Sequence, residues 1–307
     1  MQRLTLDGGV PDPLKGSIVA LGNFDGFHLG HQAVVGRAIQ RAFHERRPAI
    51  VATFDPHPVK FFKPDLPPFR LTTLDQREAL FRHAGADAML VFEFNRELAA
   101  TDAEEFVRDV LAGRIGAAGV ITGDDFSFGK GRTGDPALLK TLGEQHGVVA
   151  EAVAQVLLDG ERISSGRIRE ALVEGDIGTA THMLTRDYAI AGVVQRGDQR
   201  GRELGYPTAN IAMGDYQRPK YGIYAVRVML DDGSEHPGVA SLGVRPMFDP
   251  PQELLEAYIF GFEGDLYGRT IEVALHGYIR EERRFDGVEA LVDAMREDEA
   301  TARAMLA

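Results

Sequence analysis

The 307-residue chain contains no cysteine. That excludes disulfides, thiolate zinc sites, iron–sulfur clusters and a cysteine nucleophile. It also lacks any excess of basic charge: 34 Lys and Arg stand against 46 Asp and Glu, a net charge of −12. Both halves are negative, so no general surface exists for attracting phosphate backbones, and no nucleic-acid partner is expected. No apolar run approaches the roughly 20 residues of a membrane-spanning helix, and no membrane partner is expected. The opening MQRLTLDGGVPDPLKG lacks the apolar core of a signal peptide. What is present, 44% apolar and 26% charged residues, is the composition of a core-forming chain. The expectation is a cytoplasmic protein, monomeric or weakly homo-oligomeric. At about 150 residues per domain, the length is a soft prior for two domains.

Two rhythms divide the chain. Up to about Ala154, short branched runs (Ile18–Leu21, Ala49–Phe54, Ala88–Phe92, Gly119–Thr122 and Val148–Val153) have the length of buried parallel strands. Between them, Leu74–His83 and Asp102–Leu111 place apolar residues three and four apart, as helices do. Alternation of this kind predicts a doubly wound, Rossmann-like α/β sheet that binds ligands beyond the carboxyl ends of its strands. After Asp187, Tyr188–Gln195, Gly222–Leu230, Gly238–Leu242, Glu256–Phe262 and Thr270–Ile279 read as strands without intervening helices. Asp231-Asp232-Gly233-Ser234 is a hairpin turn between two of them. An antiparallel sheet or small barrel is expected there, closed by a last helix from Val288 to Met305. The domains are expected at 1–185 and 186–307.

The most informative segment is Gly22-Asn23-Phe24-Asp25-Gly26-Phe27-His28-Leu29-Gly30-His31, which follows one predicted strand and opens a helix. Glycines admit a bulky anion, and a helix N-terminus favours phosphate. His28 and His31 could donate hydrogen bonds to phosphate oxygens that gain charge during attack. They could also be surface histidines or a metal pair. Thr53-Phe54-Asp55-Pro56-His57-Pro58 ends the next strand, where such sheets bind ligands. Gly123–Gly134, with Asp125 and an aromatic pair, suits a loop that reads a sugar and base, or a plain surface loop. Its spacing is not that of a Walker loop. In Ile163-Ser164-Ser165-Gly166-Arg167-Ile168-Arg169, a serine can cap a helix whose arginines reach phosphate.

The second half offers a glycine- and arginine-rich loop from Arg196 to Gly205, then Pro207, Thr208 and Asn210. If extended, Thr208 and Asn210 face one way and present neutral hard oxygens suited to Mg²⁺, or they are capping residues of a turn. Glu256 is a lone carboxylate in the apolar run Leu254–Phe260. It is a candidate proton acceptor, or an outward-facing strand residue.

GNFDGFHLGH, TFDPHP, GDDFSFG and ISSGRIR, in this order, resemble the adenylyltransferase module of bacterial bifunctional riboflavin kinase/FAD synthetases. GRELGYPTAN, GIYAV, GVASLGVRPMF, LEAYIF, DLYGR and IREERRFDGVEAL resemble the riboflavin kinase module of the same family. The resemblance spans about residues 17 to 305. It implies a Rossmann-like nucleotidylyltransferase domain followed by a six-stranded antiparallel barrel with a terminal helix. It further implies γ-phosphoryl transfer from ATP to riboflavin, then attack of the FMN phosphate on a second ATP to give FAD and pyrophosphate. His28 and His31 would stabilise that second transition state. Gly22, Asn23, Phe24, Asp25, Asp125, Ser164, Ser165 and Arg169 would hold ATP and FMN, and Asp55 would border the flavin. In the kinase module Gly197, Arg202, Gly205 and Pro207 would cover the nucleotide, and Arg280 and Phe285 would close on the flavin. Thr208 and Asn210 would hold Mg²⁺, and Glu256 would deprotonate the ribityl hydroxyl. Gly166, Met247, Tyr258 and Gly261 depart from the residues usual in the family. A flavin carrier that spends no ATP is the non-enzymatic alternative; two phosphate loops, paired histidines and a Thr/Asn pair speak against it.

Overall fold

Ile18, Val19, Ala20 and Leu21 are all buried, so this strand has core on both faces, as a central strand of a parallel sheet must. Ile18 and Ala20 pack with Val34, Val35 and Ala38, whereas Val19 and Leu21 pack with Phe106, Val107 and Leu111. The computed structural model describes residues 1–196, 204–245 and 252–307. They form two units, Met1–Pro67 with Thr73–Ser164, and Pro68–Thr72 with Ser165–Ala307.

In the first unit the elements run β1 (Gln2–Thr5), β2 (Ile18–Leu21), α1 (Leu29–Glu45), β3 (Ala49–Asp55), α2 (Pro58–Phe62), α3 (Leu74–Ala84), β4 (Ala88–Glu93) and α4 (Arg96–Ala100). Then come α5 (Ala103–Glu105), continued by a π-helical stretch over Phe106–Ile115, β5 (Gly119–Gly123), α6 (Pro136–His146), β6 (Val149–Val153) and a small ribbon of β7 (Leu157–Leu158) and β8 (Glu161–Arg162). The main sheet has the order β1-β4-β3-β2-β5-β6, and every pairing is parallel. The strand order reverses between β2 and β5, so the crevice expected to take a ligand lies beyond their carboxyl ends. That is where Gly22–His31 and Gly123–Gly134 begin.

Three features differ from the sequence reading. The edge strand β1 was not expected. Val148–Val153 was expected to be a buried strand, but β6 is an edge strand, with Val149 58% exposed. Asp102–Leu111 was expected to be an ordinary helix. Its capping box is present (Asp102 Oδ1 accepts from Glu105 N at 2.8 Å and Glu105 Oε2 from Asp102 N at 3.3 Å), but the chain then widens into the π form.

The second unit contains α7 (Ser165–Glu174), α8 (Ile177–Leu184), β9 (Tyr188–Val193), β10 (Thr208–Ala212), β11 (Gly222–Met229), β12 (Glu235–Arg245), β13 (Gln252–Ile259), β14 (Thr270–Arg280) and α9 (Val288–Leu306). Its sheet is antiparallel throughout, in the order β10-β13-β12-β11-β14-β9. Just past β9, Gln195 N donates to Asn210 O at 2.8 Å, which draws the two edges together into a half-barrel. The hairpin turn stands as expected: Asp232 Oδ1 accepts from Ser234 N at 2.9 Å, between β11 and β12. The break in packing comes at 164/165, ahead of the 185/186 change in sequence rhythm. The reason is that α7 and α8 pack on one another and α8 packs on β9 and β14.

Candidate active sites

The first site is built where β2 turns into α1. Gly22 N donates to Ala52 O of β3 at 3.2 Å, which keeps the turn on the sheet. Phe24 is buried at a positive φ of 51° and packs edge-on against His31, with centroids 5.3 Å apart. Asp25 is buried, 4% exposed. The Oδ1 of Asn23 is buried, and no described group hydrogen-bonds to it.

His28 is the N-cap of α1. Its Nδ1 accepts from His31 N at 3.3 Å. In the neutral ring the proton is therefore on Nε2, which becomes a donor. The two imidazoles stack at 3.6 Å and 19°. The sequence placed both on one helix face; in the structure one caps the helix and the other lies in its first turn, and the capping bond is what brings the rings together. Gly30 has a steric role here, since a Cβ would stand 3.2 Å from His28 Cε1 and crowd the ring.

Asp55 is the last residue of β3 and is half-buried. Behind it, His57 caps α2 by accepting from Val59 N at 3.2 Å. Asp125 follows β5 and is exposed; it pairs with Arg162. The loop that carries it is ordered by mutual backbone bonds between Phe128 and Gly134, at 2.9 and 3.0 Å. Phe126 and Phe128 stack at 5.9 Å. Ser164 is half-buried and follows β8. Ser165 and Arg169 belong to the second unit. There Arg169 Nε donates to Phe69 O at 2.7 Å, and its guanidinium lies 5.0 Å from the Phe69 ring centroid.

The second site is a cleft of about 900 Å³ inside the half-barrel. Strand register explains its chemistry. Asn210 of β10 lies opposite Glu256 of β13, Glu256 opposite Ser241 of β12, Ser241 opposite Ile223 of β11, and Ile223 opposite Arg280 of β14. Residues directly opposite in antiparallel pairs share a face, and all five line the cleft. Thr208, two residues before Asn210, has the same orientation and also lines it. The segment is thus extended, as the Thr/Asn reading required, and Glu256 faces the cleft, half-buried.

A divalent cation fits this donor set. Asn210 is 5% exposed; its Nδ2 is turned to Thr208 O at 3.4 Å, and no described group hydrogen-bonds to its buried Oδ1. Among the described residues no cluster of three His, Asp or Glu could hold a metal. A hard cation here would therefore rely on neutral oxygens, substrate phosphates and water, as Mg²⁺ commonly does.

Pro207 and Phe285 line the cleft, while Gly205 precedes it at a φ of 85°. Gly197, Arg202 and Met247 lie outside the described residues. Tyr206 packs against Tyr258 at 4.9 Å, and burial pushes its phenol above the ordinary range, so it stays a neutral donor. Arg280 is bound more tightly than expected of a residue that simply closes on a ligand. Its Nε and Nη2 grip both oxygens of buried Asp298 on α9, at 2.7 and 2.6 Å. This fork ties the terminal helix to the end of β14. Sequence reading missed Ser241 and Glu282, whose hydroxyl and carboxylate bond at 3.2 Å. A Cβ at Gly243 would overlap the Glu282 carboxylate, a proximity that only the fold creates.

A doubly wound sheet with an imidazole pair at its switch point, carried on one chain with a carboxylate cleft in an antiparallel half-barrel, defines a nucleotide-dependent transferase with two centres. Residues 11–167 match the family model for FAD synthetase, and residues 184–306 match that for riboflavin kinase. The chain is 40% identical over 294 residues to the bifunctional riboflavin kinase/FMN adenylyltransferase of Pseudomonas fluorescens, covering 95% of this chain and 94% of that one. It is 36% identical over 291 residues to the protein of that description in Escherichia coli K12, covering 95% and 93%. It is also similar to a crystal structure described as a macrolide-efflux protein from Streptococcus pneumoniae, with a TM-score of 0.88, 29% identity and 99% of both chains covered. Among the described residues no helix is long and apolar enough to cross a membrane. The chain belongs to the bifunctional riboflavin kinase/FMN adenylyltransferase family.

Proposed function

We propose that the two centres divide the family's reactions between them, 1–185 adenylylating FMN and 186–307 phosphorylating riboflavin. The enzyme turns riboflavin and ATP into FMN, then FMN and a second ATP into FAD and pyrophosphate.

In the cleft of the half-barrel, Glu256 takes the proton from the ribityl 5′-hydroxyl as that oxygen attacks the γ-phosphorus, and the bond from the γ-phosphorus to the β,γ-bridging oxygen breaks to release ADP. The register that aligns Asn210, Glu256 and Ser241 supports this role, because base and phosphate ligands then share one face. Thr208 and Asn210 hold Mg²⁺, which supplies neutralisation of phosphate charge when bound. Gly205 and Pro207 shape the nucleotide side, and Phe285 covers the flavin side, with Arg280 anchoring the terminal helix beside it.

At the sheet switch point, an FMN phosphate oxygen attacks the α-phosphorus of ATP, and the bond to the pyrophosphate oxygen breaks. His28 and His31 donate hydrogen bonds to the oxygens that gain charge. The cap bond that fixes the His28 ring, with Nδ1 toward His31 N and the ring stacked on that of His31, is the observation that supports this reading. Gly22, Asn23, Phe24, Asp25, Asp125 and Ser164 shape the ATP and FMN sites, and Asp55 borders the flavin.

The enzyme works in the cytoplasm as a monomer or weak homo-oligomer on small-molecule substrates. Its lack of cysteine and its net charge of −12 are consistent with a reducing compartment and no nucleic-acid partner.

The metal assignment has its own test. Asn210→Ala should raise the Mg²⁺ concentration for half-maximal riboflavin phosphorylation by at least the roughly 10–100-fold seen when even an outer partner of a metal is lost. FAD formation from supplied FMN should keep its Mg²⁺ dependence. An unchanged Mg²⁺ titration of the kinase reaction would remove Asn210 from the metal site.

A further inference from the structure

Helix α3 presents an arginine on its buried face. Arg77 is 4% exposed and stands beside Phe81 on the face that packs against the sheet. Its Nη1 donates to Asn23 O at 3.1 Å and to Thr53 Oγ1 at 2.7 Å. The Thr53 hydroxyl, itself fully buried, donates to Asn23 O at 2.7 Å. The Nη2 of Arg77 lies 3.8 Å from Asp55 Oδ1. One guanidinium therefore reaches the glycine turn that leads to His28, the body of β3, and the carboxylate at its end.

A buried cation is costly unless its surroundings compensate it, and truncating one partner of such a network leaves the others stranded. A hydrophobic residue would fill this position of α3 at lower cost. The fork geometry of arginine is what allows one side chain to bond two oxygens on different segments. The turn from Gly22 to His28 has no regular secondary structure of its own, and it carries residues at positive φ, Phe24 at 51° and Phe27 at 43°. Its ends are tied by Gly22 N to Ala52 O and by Gln32 Nε2 to Phe27 O, and its middle, at Asn23 O, by Arg77 and Thr53.

We infer that Arg77 is a positioning residue for adenylyl transfer: through the Asn23 carbonyl and Thr53 it fixes the turn, and hence His28 and His31, relative to Asp55. The inference rests on the reading of the first site as the adenylyl-transfer centre. Arg77, 4% exposed, acts through these groups. Its loss therefore misplaces the imidazoles together with the rest of the turn, and a displacement of about 1 Å can cost on the order of 10² in rate.

Three variants test this: Arg77→Met, Arg77→Lys and Thr53→Val. The turnover of FMN and ATP to FAD is measured per binding-competent site, with sites counted by calorimetric titration with FMN in the absence of ATP and with riboflavin saturating the half-barrel. Riboflavin phosphorylation by the same preparations serves as the internal control. Arg77→Met should lower kcat about 10²-fold per site, with the kinase rate within a factor of three. Arg77→Lys keeps the charge but not the fork, and should regain part of the loss. Thr53→Val removes only the hydroxyl relay and should show a smaller fall, again in kcat. It carries the test if Arg77→Met does not fold.

Full turnover per site in all folded variants, or activity lost only in proportion to binding sites, would overturn the inference and reduce Arg77 to a stability role. Wild-type protein that makes no FAD would instead refute the adenylyl-transfer reading itself, which keeps the two failures apart.

Discussion

Glu256→Gln abolishes FMN formation from riboflavin while FAD formation from supplied FMN continues at the wild-type rate. Glutamine has the shape of glutamate and keeps an oxygen toward Asn210 and Ser241, its neighbours across β10 and β12. What it cannot do is accept a proton. A general base is worth about 10²–10⁴-fold, and with substrates otherwise held in place the loss should fall in kcat. Separation of flavins by chromatography, with riboflavin or FMN as the starting material, reads both reactions on one preparation. An active Glu256→Gln kinase would show that the hydroxyl loses its proton elsewhere, and loss of both activities in a folded variant would contradict two separate centres.

The reciprocal result is expected of His28→Ala combined with His31→Ala: riboflavin is still phosphorylated, FMN accumulates and FAD does not form. Removing one donor to a developing phosphate charge costs roughly 10²–10³ in rate. The two rings act as a stacked unit, so the double variant should be little worse than the more damaging single one. His28→Ala also removes the cap of α1, which accepts from His31 N. Loss of an N-cap costs about 0.5–2 kcal/mol, so thermal unfolding of the first unit should accompany the assay. His28→Asn, which can restore the cap without the imidazole, separates the contributions. If it recovers stability but not FAD synthesis, the ring is needed for chemistry; recovery of both would leave only a structural part for His28.

The residues whose chemistry depends on neighbours in sequence were legible before the fold was known. The glycine turn that follows β2 and the extended Thr208–Asn210 segment each carry their geometry within a few positions. Residues whose role depends on a distant partner were not legible. Arg77 reaches Asn23 and Thr53 from another segment, and only its place on an otherwise apolar helix face, between Leu74 and Phe81, hinted at burial. Arg280 was visible, yet its grip on Asp298 across 18 positions was not. Strand β1 escaped because Gln-Arg-Leu-Thr has no apolar run; it is an exposed edge defined only by its pairing with β4. β6 looked buried because Val and Ala make up all but one residue of the run, but an edge strand needs only one covered face. The π-helical stretch was concealed by a spacing compatible with an ordinary helix. Phe106 and Leu111, and Val110 and Ile115, are five apart, which suits bonds that close one residue later than usual.

The most direct measurement follows the phosphorus atoms. Full-length protein is given riboflavin and Mg²⁺ with ATP labelled at the γ-phosphate, and in parallel with ATP labelled at the α-phosphate. The γ-label should appear in FMN and persist in FAD; the α-label should appear in FAD and never in FMN. Absence of γ-label from FMN would contradict phosphorylation at the half-barrel, and absence of α-label from FAD would contradict adenylyl transfer at the paired imidazoles.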